Sequence, residues 1–334
     1  MLKNIDIEHL LKLPFLDFKS VVNLETGEIL SKRVTHYHFC KIIIHDSGAV
    51  FFTGSIHKLF NSLKEIKAPN HKTTKEYKGF NGNQFYLENI IEVRKHLEEL
   101  FACSSSQMIF QNIEFGINTK PTFNPQLFIT GLLCQNSTLF EYRYKNHFAS
   151  TPFQRYEMKI YNKSNQYGMI EYILRYELKF IKTEDLKPLG IRTFKDINTP
   201  TLNKAIQLLL KYFDRVIYYD KTITLKSLND RQKRLLERYS NPRYWNSGMT
   251  KKKRYENKNK LNDYIEKYSQ NLHQKIRKEI EQKGVLINQL PETNKGVLIN
   301  WLSETKKEVL INTSCIELKS TFQEAPIYIN RTRI

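Results

Sequence analysis

The sequence predicts an α+β fold, in which an antiparallel sheet is flanked by helices and followed by a basic helical C-terminal region. Three observations support this prediction: segments that alternate with a period of two, longer segments with helical spacing, and a change of composition near residue 226. Strands and helices mixed along the first two-thirds of a chain are typical of an α+β domain. We therefore expect one domain at 1–225, a basic helical region at 226–283 and a tail at 284–334.

The strand signals lie between residues 35 and 182. The segment THYHFCKIIIHDSGAVFFTG reads as two strands around HDSG, whose Asp and Gly suit a hairpin turn. In NIEFGIN, alternation places Ile113, Phe115 and Ile117 on one face and Glu114 and Asn118 on the other. The segments NPQLFITGLLC, STLFEYRYKN, QRYEMKIYNK and YILRYELKFIK also favour strands.

Helical spacing appears in GNQFYLENIIEVRKHLEELFAC and in TLNKAIQLLLKYFDRVIYYD. From Lys226 the chain becomes polar, basic and helix-prone, with a break at NPRYW. Between Lys226 and Lys283 there are 17 Lys and Arg against 7 Asp and Glu, which is an excess of ten in 58 residues. More than half of the net charge of the chain therefore lies in this one region.

The whole chain is strongly basic. Its 334 residues contain 53 Lys and Arg against 34 Asp and Glu, for a formal charge of +19. Cationic side chains near phosphates release condensed counterions, so nucleic acid is the favoured partner. An anionic membrane surface is the alternative, but we find no basic amphipathic anchor for it.

Cysteine usage and the chain start bear on the compartment. Cys40, Cys103, Cys134 and Cys315 are scattered, which argues against a zinc finger or a disulfide framework and favours a reducing cytoplasm. The start MLKNIDIEHLLKLPFLDF lacks the apolar core of a signal peptide. No apolar run approaches the ~20 residues that cross a bilayer. We expect a cytoplasmic protein with no membrane partner.

The basic region is the predicted DNA contact. Aromatic residues are interleaved with its charges: Tyr239, Tyr244, Trp245 and Tyr255. This combination favours nucleic-acid binding, although a solvated helical face is the alternative. The residues that we predict to contact DNA are Arg243, Lys251, Lys252, Lys253 and Arg254.

A repeat follows the basic region. The units KGVLINQLPETN, KGVLINWLSETK and KEVLINTSCIEL recur with a period of 12 from Lys283. Twelve residues drift by about 120° on a helix, so no single apolar stripe persists. Three such units are too small for an ordinary solenoid, and we interpret them as a recent expansion that forms a helical or partly disordered tail.

Acidic and histidine side chains offer a metal site. Glu114 and Glu177 lie on the polar faces of predicted strands, and two such carboxylates can share Mg²⁺ or Mn²⁺. The alternative is that each pairs with a lysine at the sheet surface. His36 and His38, at i and i+2 in THYHF, fall on one side of a strand and can hold one metal ion, and His57 is a further candidate.

Tyr161 is the candidate nucleophile. It lies where a strand pattern ends, and Lys163 follows two positions later. A tyrosine that attacks needs its proton removed or its phenolate stabilised, and a nearby ammonium group or metal ion does this. A role in the core or at the surface is the alternative, because the chain has 19 tyrosines.

Several motifs occur in an order that is typical of one family. The segments KLPFLDF, FTGSIHKLFNSL, NIEFGIN, IYNKSNQ, ILRYELKF and DLKPLGIRTFKDI, across residues 11–197, resemble the replication initiator endonucleases of filamentous phages and related plasmid rolling-circle initiators. Those proteins show a Leu-Pro-Phe-Ile-Asp start, an Ile-acid strand, a catalytic tyrosine before Leu/Asn-Lys, and an Arg-aromatic-Glu strand. The resemblance implies an HUH/relaxase-like fold.

The resemblance also implies roles for individual residues. Tyr161 takes the place of the nucleophile, with Lys163 beside it. Glu114 stands at the Ile-acid position, where an aspartate is usual, and Glu177 is the glutamate of the Arg-aromatic-Glu strand. The paired histidines have no clear counterpart in that family.

The function expected from these observations is rolling-circle replication initiation. The protein would nick and rejoin origin DNA, double-stranded and locally single-stranded, through a phosphotyrosyl intermediate, with Mg²⁺ or Mn²⁺ as the cofactor. The freed 3′-OH would prime a host polymerase. The first alternative is a non-enzymatic initiator that binds the origin and recruits host helicase. The second is an RNA-binding or structural protein whose tyrosines are stacking platforms.

Overall fold

The structure is a computed structural model that describes residues 1–288, with side chains described to residue 283. Three antiparallel sheets and several helices form the described part of the chain. This confirms the predicted α+β class with antiparallel sheets. The predicted repeat tail at 284–334 lies outside the described residues, apart from the backbone of its first five.

The strands alternate in the chain with helices. The strands are β1 (Lys19–Val22), β2 (Ile29–Tyr37), β3 (Cys40–His45), β4 (Val50–Thr53), β5 (Ile113–Thr119), β6 (Leu132–Gln135), β7 (Thr138–Leu139), β8 (Glu141–Arg143), β9 (Phe148–Pro152), β10 (Tyr156–Asn162), β11 (Leu174–Phe180) and β12 (Val216–Tyr218). They form a meander β1-β2-β3-β4, a central sheet β5-β11-β10-β9-β8, and a small sheet β12-β6-β7.

The helices surround these sheets. They are α1 (Ile7–Lys12), α2 (Ile56–Leu63), α3 (Leu87–Leu100), α4 (Pro125–Ile129), α5 (Lys163–Tyr167), α6 (Thr199–Phe213), α7 (Asp230–Ser240), α8 (Pro242–Trp245), α9 (Lys251–Tyr268) and α10 (Leu272–Asn288), with short 3₁₀ turns at Thr183–Leu189, Phe194–Asp196 and Leu225–Ser227.

Most segments take the predicted structure, and three differ. The first strand predicted in THYHFCKIIIHDSG is divided into β2 and β3 by a turn after Tyr37. The segment NPQLFITGLLC begins as helix α4, because Asn124 caps the backbone N–H of Gln126 and Pro125 occupies the first turn. The predicted helix over TLNKAIQLLLKYFDRVIYYD ends at Phe213, and its last residues form β12 instead. Pairing of β12 with β6 satisfies the backbone of this apolar segment, which helical spacing alone did not reveal.

Alternation along the central sheet separates an apolar face from a polar face. The apolar face carries Met158, Ile160, Tyr176 and Leu178, all buried in the main hydrophobic core. Helices α6 and α10 cover it, and the Oη of Tyr176 donates to the carbonyl O of Leu209 in α6 at 2.9 Å. The opposite face is left for charged and polar side chains.

The basic helical region packs onto the same core. Trp245 and Tyr239 are buried, and the indole Nε1 of Trp245 donates to the carbonyl O of Tyr239 at 2.8 Å. Ile276 and Ile280 of α10 are also buried in this cluster. Tyr239 and Trp245, two of the four aromatic residues interleaved with the charges, therefore belong to the packing of the helices and not to the surface. The division of the chain at residue 226 stays a prediction.

Among residues 1–288, no helix is both long enough and apolar enough to cross a lipid bilayer.

Candidate active site

The polar face of the central sheet gathers the predicted tyrosine and both predicted glutamates. Antiparallel pairing of β10 with β11 sets Tyr161 opposite Arg175 and Lys159 opposite Glu177. Pairing of β11 with β5 sets Gly116 opposite Glu177 on the other side. Because side chains alternate along each strand, these residues project from one face and form adjacent rows.

The Tyr161 hydroxyl is held by a carboxylate. Its Oη donates to Glu177 Oε1 at 2.9 Å, within hydrogen-bond reach for proton transfer. The Tyr161 ring also lies against the ring of Phe148 on β9, with centroids 5.6 Å apart. The phenol is thus both oriented and supplied with a proton acceptor, which is the arrangement that an oxygen nucleophile requires.

Neighbouring cationic side chains keep Glu177 ionised. Its side chain is 3% exposed, and Arg175 Nε donates to its Oε1. Burial alone would raise the pKa of Glu177, but Arg175 and Lys163 outweigh burial and lower that pKa to about 2. Glu177 is therefore an ionised acceptor at neutral pH.

The phenol itself is protonated in this arrangement. Burial, reinforced by the negative charge of Glu177, raises the pKa of Tyr161 well above its ordinary value. Arg175 acts in the opposite direction. Deprotonation of Tyr161 would therefore require a change in the charges around it.

Lys163 is buried beside the same ring. Asn162 ends β10 and caps α5 by accepting from the backbone N–H of Asn165, so Lys163 begins a helix and turns back toward the sheet. Its Nζ lies 4.7 Å from the Tyr161 ring centroid and donates to Asn81 Oδ1 at 2.5 Å. Burial and the charge of Arg175 lower the pKa of Lys163 well below its ordinary value.

Glu114 forms the second acidic position. Lys159 Nζ donates to Glu114 Oε2 at 2.5 Å and lies 3.9 Å from Glu157 Oε2. Burial and the nearby charge of Glu177 raise the pKa of Glu114, although Lys159 opposes the rise. The two carboxylates are thus neighbours, and each is paired with a cation of the sheet. The alternative that each glutamate pairs with a lysine at the sheet surface holds for Glu114 with Lys159, whereas Glu177 is buried and pairs with Arg175.

Gly116 makes room for this cluster. A Cβ at this position would lie 2.5 Å from Arg175 Nη2 and 2.7 Å from Glu177 Cγ. Real Cβ atoms do not approach other atoms so closely, so any larger residue would displace the ion pair. The glycine in NIEFGIN is therefore a spatial requirement of the site, which the sequence pattern did not identify.

A loop covers the end of the polar face. The side-chain amide of Asn118 donates to the backbone carbonyls of Asn81, Gly82 and Asn83 at 3.2, 3.2 and 2.9 Å. Asn118 Oδ1 in turn accepts from Arg175 Nη1 at 3.0 Å. The loop is thereby fixed to the arginine that holds Glu177. Sequence reasoning missed this link, because the partners are more than 30 positions apart.

The predicted histidines do not join the carboxylate pair. His57 Nε2 bonds Asn83 Oδ1 at 2.7 Å, and its ring stacks on Phe85. His36 is exposed on β2, whereas His38 follows the end of that strand with φ 53°, and its Nδ1 bonds Ser62 Oγ at 2.7 Å. The prediction that His36 and His38 share one side of a strand is wrong, because the strand turns at His38.

The two carboxylates at this site are ligands of the kind that a hard divalent cation takes, and each is bound to a cationic side chain in this structure. Mg²⁺ commonly takes one or two protein carboxylates and completes its shell with water and phosphate oxygens, and Glu114 and Glu177 supply such a pair. Within the described part of the chain, no group of three or more His, Cys, Asp or Glu side chains is placed to hold a metal ion. His57, His36 and His38 therefore remain outside the donor set.

The predicted DNA contacts lie elsewhere on the surface. Arg243, Lys251, Lys252 and Lys253 are exposed, and we call these four residues the basic surface. Arg254 is only half-exposed, and its guanidinium donates to the carbonyl oxygens of Trp245 and Met249, each at 3.2 Å. Arg254 thus joins α9 to the preceding loop.

Comparison of the chain with family models, with curated proteins and with solved structures gave no match.

Proposed function

We propose that this protein is a rolling-circle replication initiator, which nicks and rejoins DNA through a covalent bond to Tyr161. The single observation that carries the proposal is the 2.9 Å hydrogen bond from Tyr161 Oη to the ionised Glu177, beside the buried amine of Lys163. A tyrosine with only a packing role does not need a buried carboxylate, because its hydroxyl can bond a backbone carbonyl, as Tyr176 does.

The proposed reaction is a transesterification at phosphorus. The Tyr161 oxygen forms a bond to the scissile phosphate, and its proton passes to Glu177. The bond from phosphorus to the 3′ oxygen breaks, and that oxygen takes up a proton and leaves as the 3′-OH. The 5′ end stays on the protein as a phosphotyrosyl ester, so the reverse reaction rejoins the strand without an energy source.

Substrate binding would convert the resting site into a reactive one. A phosphate that approaches Arg175 and Lys163 competes with Glu177 for their positive charge. The pKa of Glu177 then rises toward its ordinary value, and the carboxylate becomes a stronger base. Arg175 and Lys163, in turn, would stabilise the charge that develops on the phosphate oxygens in the transition state.

A divalent cation is part of the proposal. Glu114 would hold Mg²⁺ or Mn²⁺, and the ion when bound would polarise the scissile phosphate, while Glu177 stays free to accept the proton of Tyr161. Lys159 would have to release Glu114 for this to occur, because its Nζ now occupies one carboxylate oxygen.

Two features support the relation to phage and plasmid initiators and to an HUH/relaxase-like arrangement. The central sheet is antiparallel with five strands, and its polar face carries the tyrosine and the acids. However, the predicted histidine pair, His36 and His38, lies on β2 and just after its end, in a different sheet. The proposed relation therefore rests on the tyrosine and glutamate motifs.

The basic surface would bind the duplex part of the origin by phosphate contacts. No acidic residue lies in the first turn of α9, and the one ion pair of these four cations among the described residues joins Lys253 to Glu256 at 4.0 Å. The freed 3′-OH would then prime a host polymerase, with a host helicase opening the duplex. We place the reaction in the cytoplasm.

A nicking assay tests the proposal. The substrate is a supercoiled plasmid that carries the DNA flanking the gene for this chain, incubated with Mn²⁺. We expect open circles with protein bound to the 5′ end, and we expect Tyr161→Phe to abolish both. Tyr172→Phe is the matched control, because Tyr172 is a partly exposed tyrosine of the following loop. Binding of the plasmid by the parent protein without any nicking would favour the non-enzymatic initiator.

A further inference from the structure

A row of aromatic rings leads from the surface to the candidate nucleophile. Tyr144 is 76% exposed in the loop between β8 and β9, and its ring centroid lies 6.0 Å from that of Phe148. The Phe148 ring lies in turn 5.6 Å from that of Tyr161. An isolated exposed tyrosine needs no explanation, but this one is continuous with the ring proposed to attack DNA.

The loop that presents Tyr144 has an unusual backbone. Tyr144, Lys145 and Asn146 have φ values of 52°, 53° and 64°, so three consecutive non-glycine residues adopt the left-handed region. Such residues are strained and persist where the surroundings determine them, often at ligand sites. This strain does not serve to bury Tyr144, since its side chain points to solvent.

Hydrogen bonds fix the loop to the active-site framework. Gln126 Nε2 donates to the Lys145 carbonyl at 2.8 Å, and the backbone N–H of Asn162 donates to the His147 carbonyl at 2.9 Å. Asn162 directly follows Tyr161 in the chain. Backbone hydrogen bonding therefore fixes the position of the Tyr144 loop relative to Tyr161.

The charge of the loop is positive. Arg143 and Lys145 are exposed on either side of Tyr144, and only Arg143 has an acidic partner, Glu141 at 3.3 Å, among the described residues. An exposed aromatic ring between two cations is the combination that binds single strands, because bases stack on the ring while the cations contact phosphates. In a duplex the bases are already stacked on each other and offer this ring no free face.

We propose that the loop between β8 and β9 binds single-stranded DNA, with one base stacked on Tyr144 and the strand directed past Phe148 to Tyr161. This inference rests on the proposed function, which already acts on locally single-stranded DNA, and it assigns the loop and the ring that would hold that strand. Its sequence preference would be weak, because every base has an aromatic face. Duplex recognition would remain with the basic surface.

Binding measurements on a protein that cannot react test this inference. All variants carry Tyr161→Phe, and the probes are a fluorescent mixed-sequence oligonucleotide, single-stranded or annealed to its complement, measured by anisotropy without metal. We expect Tyr144→Ala to weaken single-strand binding about tenfold and to leave duplex binding within about twofold. Tyr144→Phe should retain the single-strand affinity. Tyr86→Ala, at another partly exposed tyrosine, is the control and should have no effect on the single strand.

The outcomes separate the two proposals. Unchanged single-strand affinity in Tyr144→Ala, or no single-strand binding by the Tyr161→Phe parent, would overturn the inference. If the wild type still forms a phosphotyrosyl adduct in that case, the nicking function stands without this single-strand site. If Tyr144→Ala weakens binding while the wild type forms no adduct, the single-strand site stands and the nicking function fails. Equal thermal unfolding of the Tyr144→Ala and parent proteins confirms that the weaker binding does not come from misfolding.

Discussion

Charge is used in opposite ways on the polar face of the central sheet and on the basic surface of α8 and α9. On the polar face, Glu177 is almost fully buried and forms an ion pair with Arg175, and the buried Lys163 lies against the ring of Tyr161. On the basic surface, Lys251, Lys252 and Lys253 are exposed, with one ion pair among the described residues, at 4.0 Å from Lys253 to Glu256. The properties of the polar face therefore depend on the exact position of each charge, whereas those of the basic surface depend on the total number of its charges.

The difference has an energetic basis. Removing one partner of a buried ion pair leaves an uncompensated charge in the low-dielectric interior and lowers the free energy of unfolding by about 3–5 kcal/mol. An exposed pair contributes only about 0–1 kcal/mol. Single substitutions on the polar face should therefore affect both stability and reactivity. On the basic surface several substitutions should be needed, and only DNA binding should change.

The largest effect is expected at Glu177. In Glu177→Gln the phenol loses its base and Arg175 loses its charge partner, so we expect adduct formation to fall about 100-fold or more. The free energy of unfolding should fall by about 3 kcal/mol. Single-turnover adduct assays and chemical denaturation measure the two quantities.

The control for Glu177 is Glu157→Gln. Glu157 lies on the same face of β10, but its nearest cation, Lys159, is 3.9 Å away and is bonded to Glu114. We expect less than about 1 kcal/mol of destabilisation and an adduct rate close to that of the wild type. Equal decreases in both variants would mean that the polar face is only a charged surface.

A smaller decrease is expected from Gly116→Ala. The added methyl group would overlap Arg175 and Glu177, so the ion pair must shift, at a cost of about 1–3 kcal/mol. Adduct formation should fall with it, although no reacting group is removed. Gly248→Ala is the control, because a Cβ there meets no atom within 4 Å. Its cost should be limited to the left-handed backbone, about 1 kcal/mol, with no change in reactivity.

The stability of the fold should decrease in acid because His57 is buried beside two cations and resists protonation. Burial, together with the charges of Arg175 and Lys163, lowers the pKa of His57 to about 3. Below about pH 6.5, the unfolded state therefore binds a proton that the folded state does not bind. The free energy of unfolding should fall by about 1.4 kcal/mol per pH unit between pH 6.5 and about 3.

Denaturation across this pH range measures the slope attributed to His57. His57→Gln should remove this part of the slope, whereas His36→Gln, which alters an exposed histidine, should retain it. Buried His273, whose pKa burial lowers to about 4, should contribute equally in both variants. An unchanged slope in His57→Gln would show that His57 does not contribute to the acid sensitivity. Glu177 contributes only at lower pH, between about 4.5 and 2, because its folded-state pKa is lowered.

The smallest effect on stability is expected on the basic surface. Replacing Lys251, Lys252 and Lys253 together by Gln should change the free energy of unfolding by less than about 0.5 kcal/mol. The dependence of log Kd on log salt for duplex DNA should become shallower by about 0.9 for each phosphate that the variant no longer neutralises. The same triple change at Lys182, Lys187 and Lys195, also exposed, is the charge-matched control.

Local patterns predicted the strands of the site well. Alternation in NIEFGIN and RYELKF placed Glu114 and Glu177 on a polar face, and β5 and β11 confirm this. Alternation was reliable here because one face of the sheet is buried, which fixes the register of each strand. It failed at His38, where the left-handed turn interrupts β2 and no glycine marks the change.

Interactions between distant segments could not be read from the sequence. Nothing in IYNKS indicates that Lys163 bonds Asn81, 82 positions earlier, or that Asn118 fixes the loop above Arg175. Likewise, the helices of the basic region bury Tyr239 and Trp245, although their spacing among charges resembles a nucleic-acid surface. Composition gives the sum of the charges, and only packing decides which aromatic rings remain outside.

Mapping the residue that carries DNA tests the central claim most directly. The wild-type protein is incubated with single-stranded DNA that spans the origin and with Mn²⁺, then digested with nuclease and protease, and the nucleotide-linked peptide is sequenced by mass spectrometry. We predict a single phosphotyrosyl linkage on Tyr161. A linkage on Tyr172, Tyr176 or any other residue, or the absence of a linkage under conditions where the plasmid is nicked, would contradict the account.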